Sequence, residues 1–561
     1  MAEKRKFQAI KGTRDLLPPE TELWNRVEQT AREVFETYGF GEIRPPIFEP
    51  TELFARSIGL DTDVVSKEMY SFQDHDHEDL ARLRSALMLW EPWQPSIDDG
   101  RWFLQQLRSF HSAFQRLYDS GQVPRTPENE QSGKTLFNSL RDVEGQISAW
   151  QKVKTVENLQ PFDAKIENSA SSPGPVLQTE GKFEETVRIV SRVLQTTTLG
   201  DDVALRPEAT AGVCRAYIEH NMHALPQPVK LYYMGPMFRR ERPQKGRYRQ
   251  FYQIGAEVLE ALQRGQGGAK DIPKDAAIDA EVIEMVMAFF ARIGLEGAQL
   301  HINSIGHNAP ECRPGYVEKL KAELEKVKDK LGPDSQRRIE TNPLRVLDSK
   351  LESEQAIIAT LPRIVDHLCD DCAKQYAEVK RQLGLRGVAY RENWRLVRGL
   401  DYYMRTTFEI TAKGLGSQNA VCGGGRYDGL VELLGGPPTK GIGFAIGEDR
   451  LILSLQEAGK AAVSQGRDVY VAWMGEKTLA TAIRAAQELR EAGLRVELPP
   501  VEQKFGKALA QANKLGARFA LVLGEDEVSS GQWTLKTLAD GTQTKYSEAE
   551  LVAFLKRKKS A

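Results

Sequence analysis

The stretch Phe238-Arg-Arg-Glu-Arg-Pro-Gln-Lys-Gly-Arg-Tyr-Arg-Gln-Phe-Tyr-Gln253 organises the chain. Six of the eleven residues from Arg239 to Arg249 are Arg or Lys, and only Glu241 opposes them. Apolar, β-prone runs precede and follow this Pro- and Gly-containing segment, which predicts a hairpin with a basic tip. Such a tip suits a polyanion, either a nucleoside triphosphate or RNA. A solvated basic hairpin is the alternative that this pattern leaves open.

Composition narrows the class of protein. The 561 residues suffice for three or four domains. With 76 basic and 78 acidic residues and a net charge of −2, a nucleic-acid partner must be met by local patches. Five cysteines make no disulfide framework, which indicates a reducing compartment. With no apolar segment after the first residues and no apolar run of about 18 residues, we predict a cytoplasmic protein without a membrane partner.

The N-terminal part combines a helix and an extended segment. Glu20 to Tyr38 has helical periodicity and ends at Gly39. Prolines make Ile43 to Phe48 extended. This pair fits either a core edge or a subunit interface.

Residues 73–202 have a different texture. Three stretches with helical periodicity predict a helical module inserted into a loop. Ser171-Ser-Pro-Gly-Pro175 is interpreted as a linker within it. The module has no catalytic motif, and we interpret its aromatic residues as core. The periodic residues are Phe103, Leu107, Phe110, Phe114 and Leu117; Leu136, Leu140, Val143, Ile147 and Trp150; and Phe183, Val187, Val190 and Leu194.

Residues 304–387 form a Lys/Glu-rich helical region. It contains Cys369-Asp-Asp-Cys372, a pair that raises the question of zinc. A structural site needs four ligands, no second pair lies nearby in sequence, and Cys312 stands alone. We therefore expect no protein-bound structural metal, with ordinary thiols here.

The remaining C-terminal patterns are mainly β and then α/β. Val397 to Ile410 and Asn419 to Leu434 are predicted strands with glycine turns, and Gly441 to Gly447 runs into a helix. Those glycines miss the dinucleotide-binding spacing by one position. Residues 466–561 alternate strands and helices, which predicts a small α/β domain with a partly parallel sheet. Its basic residues are Lys504, Lys507, Lys514, Arg518 and a tail, Lys556 to Lys559, interpreted as a solvated end.

Six separated motifs together resemble the bacterial-type histidyl-tRNA synthetases, which are class II aminoacyl-tRNA synthetases. The resemblance covers the chain except about residues 73–202, where the family has a short turn. The motifs are Lys11-Gly-Thr-Arg-Asp15, Leu205-Arg-Pro-Glu-Ala-Thr-Ala-Gly212, Met237 to Phe251, Leu396-Val-Arg-Gly-Leu-Asp-Tyr-Tyr403, Gly423-Gly-Gly-Arg-Tyr-Asp-Gly429 and Gly443-Phe-Ala-Ile-Gly-Glu-Asp-Arg450.

The resemblance implies an α+β catalytic domain on an antiparallel sheet, with helical insertions and a C-terminal α/β anticodon-binding domain. The implied catalytic domain is discontinuous, at 1–72 and 203–465, with the extra insertion at 73–202 and a second insertion at 304–387. The anticodon-binding domain is 466–561. A homodimer is also implied, and Glu20 to Phe48 resembles its dimer-forming helix and strand.

The implied reaction joins the histidine carboxylate to the α-phosphate of ATP and then moves the histidyl group to tRNA(His). Such a step needs positioning and fixed positive charge, which arginine supplies. The resemblance assigns Arg239 and Arg398 to the α-phosphate and Arg450 to the γ-phosphate. It assigns Phe251 to stacking on adenine and Glu241 to its amino group. Mg²⁺ is expected to accompany ATP, without an obvious protein ligand.

Histidine selection is implied for a second group of residues. Glu208, Thr210 and Gln253 match positions that bind the α-amino group. Glu257 and Tyr403 match those that pair with the imidazole, beside Tyr402 and Arg398. A site that pairs both ring nitrogens rejects analogues lacking them. The residues alone leave alternatives: an exposed strand carboxylate for Glu257, and core packing for either tyrosine.

Two other functions are considered. One is the non-catalytic regulatory subunit of ATP phosphoribosyltransferase, which lacks the C-terminal domain predicted here. The other is a synthetase-like tRNA-binding sensor, in which the catalytic arginines drift, whereas Arg239, Arg398 and Arg450 are present. Both features favour the ligase.

Overall fold

The protein was analysed as a computed structural model that describes residues 7–59, 62–73, 78–88, 97–121, 123, 125–157, 185–194, 202–262, 272–413, 419–460 and 466–560. These residues form two compact units. The first comprises the described residues of Met1–Asp15 and Glu28–Ala458, and the second those of Leu16–Val27 and Gly459–Ala561. No helix within the described ranges is long and apolar enough to cross a membrane.

An eight-stranded sheet forms the centre of the first unit. Its strand order is β1-β5-β6-β11-β10-β9-β7-β8, and only the two edge pairs, β1–β5 and β7–β8, are parallel. The predicted antiparallel sheet is therefore confirmed. The strands are β1 (Gly41–Glu42), β5 (Val229–Phe238), β6 (Gln250–Ala261), β7 (Gln299–Ser304), β8 (Arg391–Glu392), β9 (Met404–Thr411), β10 (Ala420–Arg426) and β11 (Thr439–Gly447).

The basic stretch is the predicted hairpin. Strands β5 and β6 pair from Val229↔Leu259 to Phe238↔Gln250, which leaves the arginine-rich segment as the connecting loop. Near its end, the backbone N–H of Arg249 donates to Gly12 O at 2.7 Å. Gly12 has a φ of 92°, and a Cβ there would lie 2.8 Å from Pro243 Cγ, so the close approach requires glycine.

Helices cover the sheet. Helix α8 buries an apolar face that includes Ala280, Ile283, Val286 and Phe290, because these side chains recur at helical spacing. The helices outside the two predicted insertions are α1 (Glu20–Thr37), α2 (Thr51–Ile58), α7 (Thr210–Glu219), α8 (Ile272–Ile293), α13 (Leu430–Leu433) and α14 (Glu448–Glu457). A three-stranded sheet of order β2-β4-β3 contains β2 (Phe48–Pro50), β3 (Tyr70–Gln73) and β4 (Asp202–Leu205).

The two stretches predicted as strands with glycine turns contain turns at Gly399 and Gly429, and strands occupy only part of each stretch. The segment before β9 turns from Gly399 to Tyr402, because Gly399 and Asp401 favour turns over strand. After β10, the chain turns at Gly429, whose φ is 86°, and forms α13 instead of further strand. The first turn matters for the site because Tyr402 lies in it, and Arg398 and Tyr403 lie directly before and after it.

The region 304–387 is helical, as predicted. Its helices pack around a shared core that includes Tyr316, Leu320, Ile339 and Ile358. They are α9 (Arg313–Lys326), α10 (Pro333–Thr341), α11 (Glu352–Ile358) and α12 (Asp370–Leu385).

The region 73–202 also contains helices with a core of their own. They are α3 (Glu78–Met88), α4 (Ile97–Asp119), α5 (Pro127–Glu157) and α6 (185–194). Phe103, Phe110, Phe114, Leu136 and Val190 are among the buried residues of this core. Trp102 is an exception to the expected burial of aromatics, at 37% exposed. The predicted linker 171–175, Trp90, Trp93 and Phe183 lie outside the described residues, as does the side chain of Trp150.

The second unit contains a five-stranded sheet of order β13-β12-β14-β15-β16. Its first three strands are parallel and its last two pair antiparallel, which confirms the partly parallel sheet. The basic tail belongs to helix α18, and its residues Lys556 to Lys558 are exposed, which agrees with its interpretation as a solvated end. The elements are β12 (Val469–Trp473), α15 (Leu479–Glu491), β13 (Val496–Glu497), α16 (Phe505–Lys514), β14 (Phe519–Leu523), α17 (Glu525–Ser530), β15 (Trp533–Thr537), β16 (Gln543–Tyr546) and α18 (Glu548–Ser560).

Candidate active site

A cavity of about 180 Å³ lies beside the arginine-rich hairpin. The predicted ATP-binding residues Arg239, Glu241, Phe251 and Arg450 all line it, together with Gln253. The Arg239 guanidinium carbon lies 5.3 Å from the centre of the Phe251 ring, and its Nε donates to Pro207 O at 2.9 Å. Burial lowers the pKa of Arg450, because removing a guanidinium from water disfavours its charged form. The cavity is thus lined by aromatic rings and by three arginines, Arg239, Arg247 and Arg450.

The loop and helix beside this cavity are joined by a residue that the sequence did not single out. Asp449, at the start of α14, accepts from the backbone N–H of Tyr252 at 2.9 Å and from Arg14 Nη2 at 3.1 Å. Arg14 also lies over the Tyr248 ring, 4.7 Å from its centre. These contacts hold the cavity wall in place. They also join Arg14 and Asp449, which belong to two motifs distant in sequence.

Arg398 lies in the turn before β9. Its Nη1 donates to Glu409 Oε2 at 3.3 Å, and its guanidinium carbon is 5.7 Å from the centre of the Tyr403 ring. A side chain at Gly423 would collide with this guanidinium, so the glycine makes room for it. Among the described residues, Arg398 Nε has no hydrogen-bond partner although it is buried. A buried N–H donor of this kind is costly unless something else accepts from it.

Glu257 is the centre of a buried polar pocket on β6. It is 1% exposed, so the alternative of an exposed strand carboxylate was wrong. Thr210 Oγ1 donates to its Oε1 at 2.7 Å, and the Tyr427 hydroxyl donates to its Oε2 at 2.6 Å. Burial raises the pKa of Glu257 to about 8, although both hydroxyl donors act to lower it. A side chain at Gly443 would collide with this carboxyl group.

The other predicted histidine-binding residues surround Glu257 or adjoin it. Glu208 accepts from the backbone N–H groups of Thr210 and Ala211, at 2.7 and 3.0 Å, at the start of α7. Burial raises the pKa of Glu208 although these two hydrogen bonds act against it. Tyr402 and Tyr403 have ring centres 4.7 Å apart, and both belong to apolar clusters, so core packing is part of their role. Gln253 Oε1 is buried without a partner among the described residues.

Comparison with known proteins decides the family. The histidyl-tRNA synthetase family model matches residues 178–451, and the anticodon binding domain model matches residues 468–558. Histidine--tRNA ligase from Koribacter versatilis (strain Ellin345) is 42% identical over 550 residues, covering 98% of this chain and 96% of the relative. The chain belongs to the histidyl-tRNA synthetase family.

Two further relatives agree. Histidine--tRNA ligase from Solibacter usitatus (strain Ellin6076) is 40% identical over 551 residues, covering 98% of this chain and 99% of the relative. The crystal structure of apo S. aureus histidyl-tRNA synthetase is 28% identical with a TM-score of 0.62, covering 98% of this chain and all 100% of that chain. The predicted family, class II fold and enzyme class, histidine--tRNA ligase, are confirmed. The anticodon-binding domain disfavours the regulatory paralogue, which lacks one.

Tyr427 is the functional candidate that sequence reasoning missed in this synthetase. It belongs to the motif Gly423 to Gly429, which marked the family but gave no reason to link its tyrosine to Glu257. The two residues are 170 positions apart in sequence and meet only because β10 and β6 flank β11. A buried polar pair of this kind has no local sequence signal.

The expectation about the cysteines rested on a wrong premise. Cys312 is isolated in sequence, but the structure brings it to Cys369, Cys372 and His307. The candidate ligand atoms of these four side chains all lie within 4.8 Å of one another. The structure therefore brings together four candidate ligands that are separated in the sequence.

Proposed function

We propose that this synthetase activates histidine on the β6 face, with Glu257 selecting the imidazole and Arg239, Arg398 and Arg450 binding the phosphates of ATP. One observation carries the proposal. Phe251, Gln253 and Glu257 are separated by even numbers of residues on strand β6, so they lie on the same face. At about 3.4 Å per residue, this face spans about 20 Å from the cavity to the buried pocket. That length suits histidine and ATP bound end to end.

The charges support adenylate formation at the junction. A carboxylate oxygen of histidine attacks the α-phosphorus of ATP and forms a new P–O bond. The bond from the α-phosphorus to the oxygen that bridges the α- and β-phosphates breaks, pyrophosphate leaves, and negative charge builds on the α-phosphate oxygens in the transition state. Arg239 reaches the junction from the hairpin, and Arg398 from the turn before β9. Fixed guanidinium groups stabilise that charge without reorganising. Because no residue in the described ranges accepts from Arg398 Nε, this N–H is an available donor for such an oxygen.

Mg²⁺ would neutralise part of the ATP charge. The carboxylates nearest the arginines are each paired, Glu241 with Arg247 and Glu409 with Arg398, both at 3.3 Å. Mg²⁺ keeps several waters and binds phosphates readily. We therefore expect it to bind mainly through ATP and water.

The pocket also gives a basis for selecting histidine. An imidazole N–H would donate to Glu257, while Tyr403 would meet the other ring nitrogen. The α-amino group would lie near Glu208, Thr210 and Gln253. An amino acid lacking one ring nitrogen would leave a buried polar group unpaired, at a cost of about 1–3 kcal/mol.

A homodimer is proposed as the assembled form, as the family implies. Exposed apolar side chains support it: Ile47 is 44%, Phe48 54% and Phe72 49% exposed. Phe48 and Phe72 lie on the same face of the β2-β4-β3 sheet, since they pair with Leu205 and Val203, two residues apart. Covering them with a second copy would remove apolar surface from water.

The second unit is proposed to bind the anticodon of tRNA(His) in the cytoplasm. Its helix α16 buries Ala508 and Ala512 and exposes basic residues, which suits the phosphate backbone of RNA. The exposed basic residues on α16 or next to it in sequence are Lys504, Lys507, Lys514 and Arg518.

The transfer step is tested by charge reversal. The Lys504→Glu/Lys507→Glu variant should lower kcat/KM for aminoacylation of tRNA(His) by about tenfold or more, because each phosphate contact contributes to affinity. Its rate of histidine-dependent ATP–pyrophosphate exchange should not change. Lys545→Glu, an exposed substitution on β16, is the matched control. Unchanged aminoacylation by the double variant would refute the assignment of α16 to tRNA binding.

A further inference from the structure

The cluster of His307, Cys312, Cys369 and Cys372 lies apart from the residues proposed for adenylation. His307 is in the loop after β7, Cys312 immediately precedes α9, and Cys369 and Cys372 begin α12. Cys312 and Cys372 are buried, and the other two side chains are half-buried. Three chain segments therefore converge through sulfur and imidazole.

The spacing of these atoms fits a single tetrahedral ion. Zinc lies about 2.3 Å from thiolate sulfur and about 2.0–2.1 Å from imidazole nitrogen, so ligand atoms on the corners of its tetrahedron are about 3.4–3.8 Å apart. His307 Nδ1 lies 3.1 Å from Cys372 Sγ and 3.7 Å from Cys369 Sγ. Every ligand atom lies within 4.8 Å of the others. Shifts of about 1 Å or less would complete the coordination.

The backbone is shaped around the sulfur atoms. Gly306 has a φ of 63°, and a Cβ at this position would lie 2.7 Å from Cys312 Sγ. Only glycine lets the loop after β7 pass so close to the thiol. Cys312 and Cys369 are each followed directly by a helix, whose first N–H groups favour a negative thiolate.

We propose that His307, Cys312, Cys369 and Cys372 bind one structural Zn²⁺. Three thiolates and one imidazole are a preferred donor set for zinc. Because all four positions are filled by protein, the ion has no open position for substrate or water. Its role is therefore to hold the chain.

The ion would tie α9 and α12 to the strand ends that support the histidine pocket. Arg313, next to Cys312, donates to Tyr403 O at 2.6 Å. The backbone N–H of Arg405 donates to Gly306 O at 2.6 Å. Both contacts join the metal-binding loops to the segment that carries Tyr402 and Tyr403. Loss of the ion would thus loosen the backbone of this segment without removing any pocket side chain.

Metal content is the first test. The full chain, produced without a histidine tag in zinc-containing medium, should contain about one zinc per chain by mass spectrometry of metals. Cys312→Ser and Cys372→Ser should each lower this content at least fivefold. Cys214→Ala, which removes a buried cysteine elsewhere in the first unit, is the matched control and should retain it.

Cobalt substitution tests the site in the unmodified chain. After chelator treatment, added Co²⁺ should produce thiolate-to-cobalt charge transfer and the strong visible absorption of tetrahedral Co²⁺, and Zn²⁺ should abolish both. Zn²⁺ should also restore any Tm lost to the chelator. Zinc below about a tenth per chain with no metal-dependent spectrum would overturn the proposal, as would stoichiometric iron or a Cys369–Cys372 disulfide in freshly purified protein.

Discussion

Two buried polar networks of the same sheet differ in how their charges are balanced. In the first, Arg426 donates to Asp279 at 2.6 Å and to Asp428 at 2.8 Å, and Lys440 pairs with Asp275 at 2.9 Å. In the second, the hydrogen bonds to Glu257 come from hydroxyl groups, those of Thr210 and Tyr427. The Arg426 network therefore contains its own compensating cations, whereas in the described part of the chain no cation hydrogen-bonds to Glu257.

The difference separates a structural network from a proposed binding site. Arg426 and Tyr427 are consecutive in sequence, but the first completes the paired network and the second the hydroxyl-lined pocket. A paired buried charge requires nothing further, so the Arg426 network holds α8 against the strands. Burial raises the pKa of Glu257 to about 8, which favours the protonated carboxyl group at neutral pH until a partner binds. We expect an imidazole to be that partner.

Breaking the paired network should have the largest effect on stability. Asp279→Ala removes the carboxylate that accepts from Arg426, Thr406 and Gln375. Because it leaves the buried Arg426 with Asp428 as its one remaining carboxylate partner among the described residues, we expect the free energy of unfolding to fall by about 3–5 kcal/mol in denaturant titrations.

Two variants sharpen this prediction. Asp334→Ala, at an exposed ion pair of α10, is the matched control and should change stability by less than about 0.5 kcal/mol. Adding Arg426→Met to Asp279→Ala should recover part of the loss, because the buried guanidinium that lost Asp279 is no longer present. A single Asp279→Ala variant as stable as the parent would show that the network is not required by the fold.

Arg398→Ala should have the largest effect on chemistry with little effect on folding. Removing one preorganised donor typically raises the barrier by about 3–4 kcal/mol, so adenylate formation should slow by about 10²–10³-fold. Histidine binding should weaken much less, because phosphate charge is greatest in the transition state. Single-turnover adenylation and equilibrium histidine binding separate the two effects. Arg381→Ala, on the exposed face of α12, is the control, and a near-normal single-turnover rate for Arg398→Ala would refute its role.

Glu257→Gln tests whether the hydroxyl-lined pocket around Glu257 binds the imidazole of histidine. Replacing the carboxyl group with an amide removes a charge-assisted hydrogen bond worth about 1.5–3 kcal/mol, so histidine affinity should fall about 10- to 100-fold. Equilibrium binding of histidine measures this. An unchanged affinity would place imidazole selection elsewhere.

The same substitution should change how stability depends on pH. In the folded chain the pKa of Glu257 is about 8, above its ordinary value of 4.5. Between these pH values the folded chain therefore retains a proton that the unfolded chain loses. This contribution to stability is complete below pH 4.5 and is lost as pH rises towards about 8. The slope is at most about 1.4 kcal/mol per pH unit. Glu257→Gln should remove that decline, and an unaltered pH profile would contradict the raised pKa.

The region 73–202 should have the smallest effect on adenylation. Gln73 and Asp202 are paired neighbours at the ends of β3 and β4, so a two-residue Asn-Gly turn can replace residues 74–201. Histidine-dependent exchange should stay within about tenfold, or about 1.4 kcal/mol of barrier. If the shortened chain folded and dimerised but had no exchange activity, the helical region would belong to the catalytic machinery.

Sequence succeeded where a pattern is local or carried by a motif. Alternating β-prone residues around a Pro- and Gly-containing loop predicted the β5–β6 hairpin, and helical periodicity found α4 and α5. The grouping of Arg239, Phe251 and Arg450 around one cavity agrees with roles assigned by resemblance. The functional assignments themselves stay predictions until they are tested.

The failures share a physical cause. Tyr427 meets Glu257, and Cys312 meets Cys372, through contacts between segments distant in sequence, which no spacing rule reveals. Within the stretch predicted as strand with glycine turns, the start of β9 was not predicted, because the aromatic residues before it favour β-structure whereas Gly399 and Asp401 favour a turn. The helix α18 that precedes and includes the solvated basic tail was not predicted, because the charges of the tail hide the apolar side of the helix, where Leu551 and Leu555 are buried.

Histidine-dependent ATP–pyrophosphate exchange tests the central proposal most directly. The full chain should incorporate labelled pyrophosphate into ATP only when ATP, Mg²⁺ and histidine are all present, and the other standard amino acids should not replace histidine. Glu257→Gln should require more histidine, and Arg398→Ala should lower the maximal rate. Exchange that proceeds without histidine, or faster with another amino acid, would contradict the assignment of Glu257 and the arginines to histidine activation.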